Sequence, residues 1–99
     1  MSRRAVITGI GVVAPTGVGA AAHWDAVTAG RSGIRRITRF DPAQYATQLA
    51  GEVDGFAAEE FIEQRLIVQT DRWTWMDLAA TRLALDDAGF DPAVPSMWS

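Results

Sequence analysis

Ala5-Val6-Ile7-Thr8-Gly9-Ile10-Gly11-Val12-Val13-Ala14-Pro15-Thr16-Gly17-Val18-Gly19, residues 5–19, is the stretch whose reading decides the fold. Val6 and Ile7 are β-branched, and the apolar run before Gly9 is too short for a helix. Four glycines and Pro15 then remove any regular continuation. The segment therefore reads as a buried strand over residues 5–8 in a sheet interior, followed by a tight loop. Gly9, Gly11 and Ala14 also satisfy the G-x-G-x-x-G/A spacing of a dinucleotide-binding turn. That motif needs a helix opening inside it, where Pro15 lacks an N–H and clashes with the preceding turn and Gly17 and Gly19 weaken helix. No helix is expected before Pro15, and the glycines are read as turn formers; a nucleotide-binding α/β domain stays as the alternative.

Working outward, the Ala-rich residues 20–29 predict a short helix closed by Gly30, with Ala20, Trp24 and Val27 on one face and His23 beside it. A lone histidine without a second His or a Cys reads as structural, exposed or half-buried, rather than as a metal ligand or base. Residues 30–42 lack a helical period and form an extended connector anchored by Ile34, Ile37 and Phe40. Residues 45–53 alternate loosely and predict a second, weaker strand, turned at Asp54-Gly55. A helix is expected over 57–65, where Glu59, Glu60 and Glu63 precede Arg65 in the order that suits a helix dipole, as a solvated face. The longest element is a helix over 70–88, with Thr70 as N-cap, Asp71 at its positive end and Gly89 as its stop. Trp73, Met76, Ala80, Leu83, Ala84 and Ala88 share one face, and Trp75, Leu78 and Leu85 widen it. That width implies packing on two sides, and it makes the isolated chain prone to association. A proline-punctuated tail follows Gly89.

The 99 residues allow at most one small core, and 48% hydrophobic residues with four Trp and four Phe are globular in type. All nine basic residues are Arg, against twelve carboxylates. The net charge of −3 argues against a nucleic-acid binder, and the cluster Arg31, Arg35, Arg36 and Arg39 reads as a solvated loop with some carboxylate pairing. There is no Cys, hence no disulfide, thiolate metal site or thiol nucleophile. The apolar run at the start is too short for a signal peptide, which needs about 7 residues or more, or for a membrane span, so a cytoplasmic protein is expected. One good and one weak strand do not close a sheet, so the chain is read as the opening of a larger domain.

Val6-Ile7-Thr8-Gly9-Ile10-Gly11-Val12-Val13-Ala14-Pro15, followed by Gly17 and Gly19, resembles the amino-terminal signature of the β-ketoacyl synthases, the decarboxylative condensing enzymes of fatty-acid and polyketide assembly. Arg39-Phe40-Asp41 fits the segment that follows the first helix in that family. Together with Arg39-Phe40-Asp41-Pro42 and Leu49-Ala50-Gly51-Glu52-Val53-Asp54, the stretch Arg65-Leu66-Ile67-Val68-Gln69-Thr70-Asp71-Arg72 is similar to the chain-length factors of aromatic polyketide systems. Condensing subunits typically open the last helix with Met-Asp-Arg, whereas here Gln69-Thr70 precedes Asp71-Arg72.

The resemblance implies an α/β fold, the amino-terminal part of a thiolase-like αβαβα sandwich, with residues 1–99 as an amino-terminal fragment of a β-ketoacyl synthase-like domain. It implies a parent that lacks the nucleophilic Cys, pairs as a heterodimer with a condensing ketosynthase subunit, works with an acyl carrier protein and shapes the tunnel in which the polyketide grows. No catalytic, cofactor-binding or metal-binding residue of the family maps onto this chain, and no cofactor is expected. A fragment of an active β-ketoacyl-acyl carrier protein synthase remains the alternative.

Overall fold

The computed structural model describes residues 3–91 and Ala93. The chain divides into two compact units, residues 12–57 and residues up to 11 together with those from 58 onward.

The unit of residues 12–57 starts with β1 (Val13–Ala14) and β2 (Gly17–Val18), an antiparallel pair with Val13 opposite Val18 and Ala14 opposite Gly17. Pro15 and Thr16 form its two-residue turn, and Gly19 N–H donates to the Val12 carbonyl at 2.7 Å. No helix runs through residues 11–18, so the helix required by the dinucleotide reading is absent. The first helix, α1 (Ala20–Thr28), starts after Pro15 as expected. Its inward face differs from the expected one. Trp24 is 65% exposed and Val27 50%, whereas Ala26 is buried. The reason is steric: the β1–β2 hairpin comes so close that a Cβ on Gly17 would lie 2.7 Å from the Ala22 Cβ. Only the small residues of the helix fit against it.

Within the connector, β3 (Ile34–Arg36) pairs antiparallel with β4 (Leu49–Gly51), Arg35 lying opposite Ala50. The extended connector thus supplies the partner of the weak strand expected over 45–53. That strand shrinks to three residues because Pro42, fully buried, starts a turn in which Tyr45 N–H donates to the Pro42 carbonyl at 2.9 Å. Pro15 is seated on this sheet: a Cβ on Gly33 would lie 2.8 Å from Pro15, and one on Gly51 2.7 Å from it.

In the other unit, the expected strand over 5–8 does not form. Residues 3–11 have no assigned secondary structure, and Val6 and Ile7 are 76% and 84% exposed. A strand exists only through its ladder, and among the described residues none pairs with this segment. What holds it is the long helix α3 (Arg72–Ala88). A Cβ on Gly11 would run into the Ala80 carbonyl and the Ala84 amide, and one on Gly9 into Ala84 and Ala88. Ile10 N–H donates to Asp87 Oδ2 at 3.0 Å.

The single helix expected over 57–65 is broken into a 3-10 turn (Ala58–Glu60) and α2 (Gln64–Ile67), separated by an extended Glu63 at φ −61°, ψ 141°. A continuous helix would stack Glu63 on Glu59 and Glu60 at i,i+4 and i,i+3, where like charges repel. Ala58 and Ile62 are buried and anchor the break. The cap of α3 also differs from expectation. Asp71, not Thr70, is the N-cap, its carboxylate accepting from Thr74 N–H at 3.1 Å and from the Thr74 hydroxyl at 3.0 Å. The Thr70 hydroxyl is engaged elsewhere, donating to the Leu66 carbonyl at 2.5 Å and accepting from Trp75 Nε1 at 2.9 Å. Gly89, left-handed at φ 69°, ends the helix as expected.

Ala79 is fully buried, and Met76, Ala80, Leu83, Ala84 and Ala88 are half-buried, so most of the expected face turns inward. Trp73 does not: it is 85% exposed, while Arg72, Thr74 and Trp75 around it are half-buried. From residue 94 the expected tail lies outside the described residues.

Replacing Gly11 by Ala places a methyl group against helix backbone that cannot move aside. The expected cost is about 1–3 kcal/mol, typical of overpacking. It is measured as a lower urea midpoint of the full-length parent protein; an unchanged midpoint would refute the close-approach reading.

Candidate functional site

His23 sits half-buried on α1, its Nδ1 2.6 Å from the Thr16 hydroxyl, so it braces the β1–β2 turn. Its half-buried position lies within the range expected from the sequence. Among the described residues there is no cluster of three or more His, Asp or Glu suited to a metal ion, and no helix is long and apolar enough to cross a membrane.

The densest polar constellation lies on the β3–β4 sheet and the loop beyond it. Arg35 pairs with Asp54. Arg36 donates to Gln48 Oε1 at 2.8 Å and lies 3.5 Å from Asp41. Arg39 lies 3.8 Å from Glu52. Some carboxylate pairing was expected in this cluster, and three of its four arginines show it. The centre of the constellation, Glu52, was not legible. Its Oε1 accepts from Thr38 N–H and from the Thr38 hydroxyl, each at 2.9 Å, and its Oε2 accepts from Arg39 N–H at 3.2 Å. Only the β3–β4 register brings Glu52 to that loop, and sequence alone does not state a register.

The Glu52 side chain is 9% exposed, and its carboxyl is held below the ordinary carboxylate range. The Thr38 N–H is the main cause; desolvation opposes it, and the Thr38 hydroxyl and the Arg39 N–H and charge assist. A carboxylate so satisfied is a poor proton acceptor at neutral pH. Glu52 is a clamp on the loop that carries Phe40 and Tyr45, whose rings meet edge-to-face at 5.5 Å.

Because the folded form depresses this group, its stabilisation is complete above the unfolded carboxylate value and disappears as pH falls through the lower folded value. Asp71 behaves the same way, its carboxyl lowered chiefly by the Thr74 N–H. Glu52→Gln is therefore expected to weaken the fold at neutral pH and to flatten its loss of stability on acidification. Tryptophan-monitored unfolding between pH 7 and pH 2 checks this; parallel pH curves for variant and wild type would disprove the clamp.

Among the exposed large apolar side chains, Val6, Ile7 and Trp73 stand furthest into solvent.

Comparison with known proteins fits this picture. Residues 2–96 match the profile of the beta-ketoacyl synthase N-terminal domain. A polyketide beta-ketoacyl synthase 2 of Streptomyces coelicolor is 51% identical over 92 residues, 93% of this chain and 22% of that protein. In Streptomyces glaucescens, the ketoacyl synthase beta subunit of the tetracenomycin polyketide synthase is 48% identical, covering 88% of this chain and 21% of its own length. The alpha subunit of the same synthase is 47% identical, covering 92% and 21%. The solved ishigamide ketosynthase/chain length factor superposes with a TM-score of 0.79 at 36% identity, over 89% of this chain and 22% of that one. The chain thus spans about a fifth of the length of these relatives. With nearly all of its residues matched to that profile and to those subunits, the chain belongs to the β-ketoacyl synthase family, in the part that forms its N-terminal domain.

Proposed function

We propose that this chain is the amino-terminal part of a polyketide chain-length factor, the non-condensing paralogue that pairs with a condensing ketosynthase and helps set the length of the polyketide. The observation that carries this reading is the 51% identity to a polyketide beta-ketoacyl synthase 2 across nearly the whole chain. Gln69-Thr70 ahead of Asp71-Arg72 supports it. At that junction Asp71 caps α3 while Thr70 bridges Trp75 to Leu66. The structural likeness to a ketosynthase/chain length factor points the same way.

On this reading, residues 1–99 open a thiolase-like αβαβα sandwich. Residues 5–8 would become a strand once the rest of the parent supplies neighbours, since Val6 and Ile7 alternate along an extended segment with both apolar side chains uncovered. Acyl transfer needs an activated nucleophile with a base and an oxyanion site around it. This segment has no Cys, and its one His is bonded to a threonine. Its part in the parent is scaffold, and the parent's part is a partner surface and a tunnel wall, served by an acyl carrier protein.

A second reading, an active condensing subunit, is favoured by the 47% identity to an alpha subunit. Two measurements decide between them. The full-length parent, co-expressed with a condensing ketosynthase, is expected to co-purify with it in equimolar amounts and to carry a residue other than Cys at the family's nucleophile position. Incubated alone with a radiolabelled acyl carrier protein thioester, neither the parent nor this chain is expected to take up covalent label; label on the parent would establish the condensing reading instead.

A further inference from the structure

We propose that the cavity beside Arg31, in the unit of residues 12–57, is a binding site for a small monocarboxylate. Of the four clustered arginines, three face a carboxylate: Arg35 meets Asp54, Arg36 meets Asp41, and Arg39 meets Glu52. Arg31 has no carboxylate within ion-pair distance among the described residues, and it lines a cavity of about 320 Å³.

The lining is arranged to take one negative charge. Asp54, at the rim, is already neutralised by Arg35, so Arg31 leaves the cavity with a single uncompensated positive charge. A guanidinium presents a planar fork that matches a carboxylate bidentately. Its neighbour Ser32 adds a donor: the Ser32 oxygen accepts from Ile34 N–H at 3.1 Å, which leaves the hydroxyl proton free to reach an anion. Thr16, also in the lining, is engaged with His23 and does not compete. A dianion such as phosphate would keep half its charge unmatched.

The loop is held before any ligand arrives. Arg31 N–H donates to the Ala26 carbonyl at 2.9 Å, and Gly33 is pressed against Pro15. Preorganisation of this kind lowers the cost of binding. Pro15, Gly17 and Ala26 form an apolar wall, and the cavity volume exceeds what a carboxylate alone fills. The ligand class is therefore a short aliphatic acid, its head on Arg31 and Ser32 and its tail on Pro15 and Ala26.

The test is a ligand-observed NMR titration of the full-length parent with sodium butyrate at constant ionic strength, repeated with acetate and with inorganic phosphate. Saturable butyrate binding is expected, weaker for acetate, which lacks most of the tail, and absent for phosphate. Arg31→Gln should weaken butyrate binding about tenfold or more, the effect of losing a charge-assisted bidentate contact, and Arg31→Lys should weaken it less. Ser32→Ala, which also loses the bond from Ile34, should lie between wild type and Arg31→Gln. Equal binding by wild type and Arg31→Gln would overturn the proposal, as would no saturable binding, or phosphate binding as tightly as butyrate.

Discussion

The structure depends on how closely a backbone can approach a helix. Gly9 and Gly11 lie against Ala80, Ala84 and Ala88 of α3 so tightly that no Cβ fits at either glycine. Close packing turns a missing methyl group into contact area, because dispersion falls off steeply with any gap. The glycine pattern that resembles a phosphate-binding turn is thus used to bring an irregular segment onto a helix. The same device recurs among residues 12–57, where Gly33 and Gly51 receive the Pro15 ring.

Polar groups do the rest of the positioning in that unit. Glu52 gathers three donors from the loop after β3, and His23 holds the β1–β2 turn through Thr16. Glu52 holds two backbone N–H groups and a hydroxyl, and His23 holds a hydroxyl. That suits the scaffold role proposed for this segment, and it leaves Arg31 as the charged side chain of its cluster that faces open space.

How much of this could be read from the sequence follows the range of the interactions. Local signals held: Pro15 excluded a helix, residues 20–28 formed one, and Gly89 stopped α3. The motif resemblance was carried by residues spread along the chain, and the family followed from them. Readings that needed a partner failed. Residues 5–8 have strand propensity but no ladder, and Trp24 and Trp73 were assigned to buried faces by periodicity although nothing described covers them. The Asp71 cap was one residue from the expected Thr70, because the Thr70 hydroxyl had a competing pair of bonds to Leu66 and Trp75. The Glu52 clamp required a cross-strand register, and the break at Glu63 a balance between dipole and like-charge repulsion.

The seat of residues 9–11 on α3 has a further consequence for register. Ala80, Ala84 and Ala88 recur every four residues, so a helix sliding by one turn, about 5.4 Å, would offer a similar row of methyl groups. A seat built of alanine alone would be a ratchet with equivalent notches. Residues other than alanine remove the degeneracy. A slide in one direction carries Met76 into the place of Ala80, against Gly11, and Leu83 into the place of Asp87, where Ile10 N–H loses its acceptor. A slide in the other brings up Gly89, where the helix has already ended. Tight approach comes from the periodic residues, and a single alignment comes from the aperiodic ones.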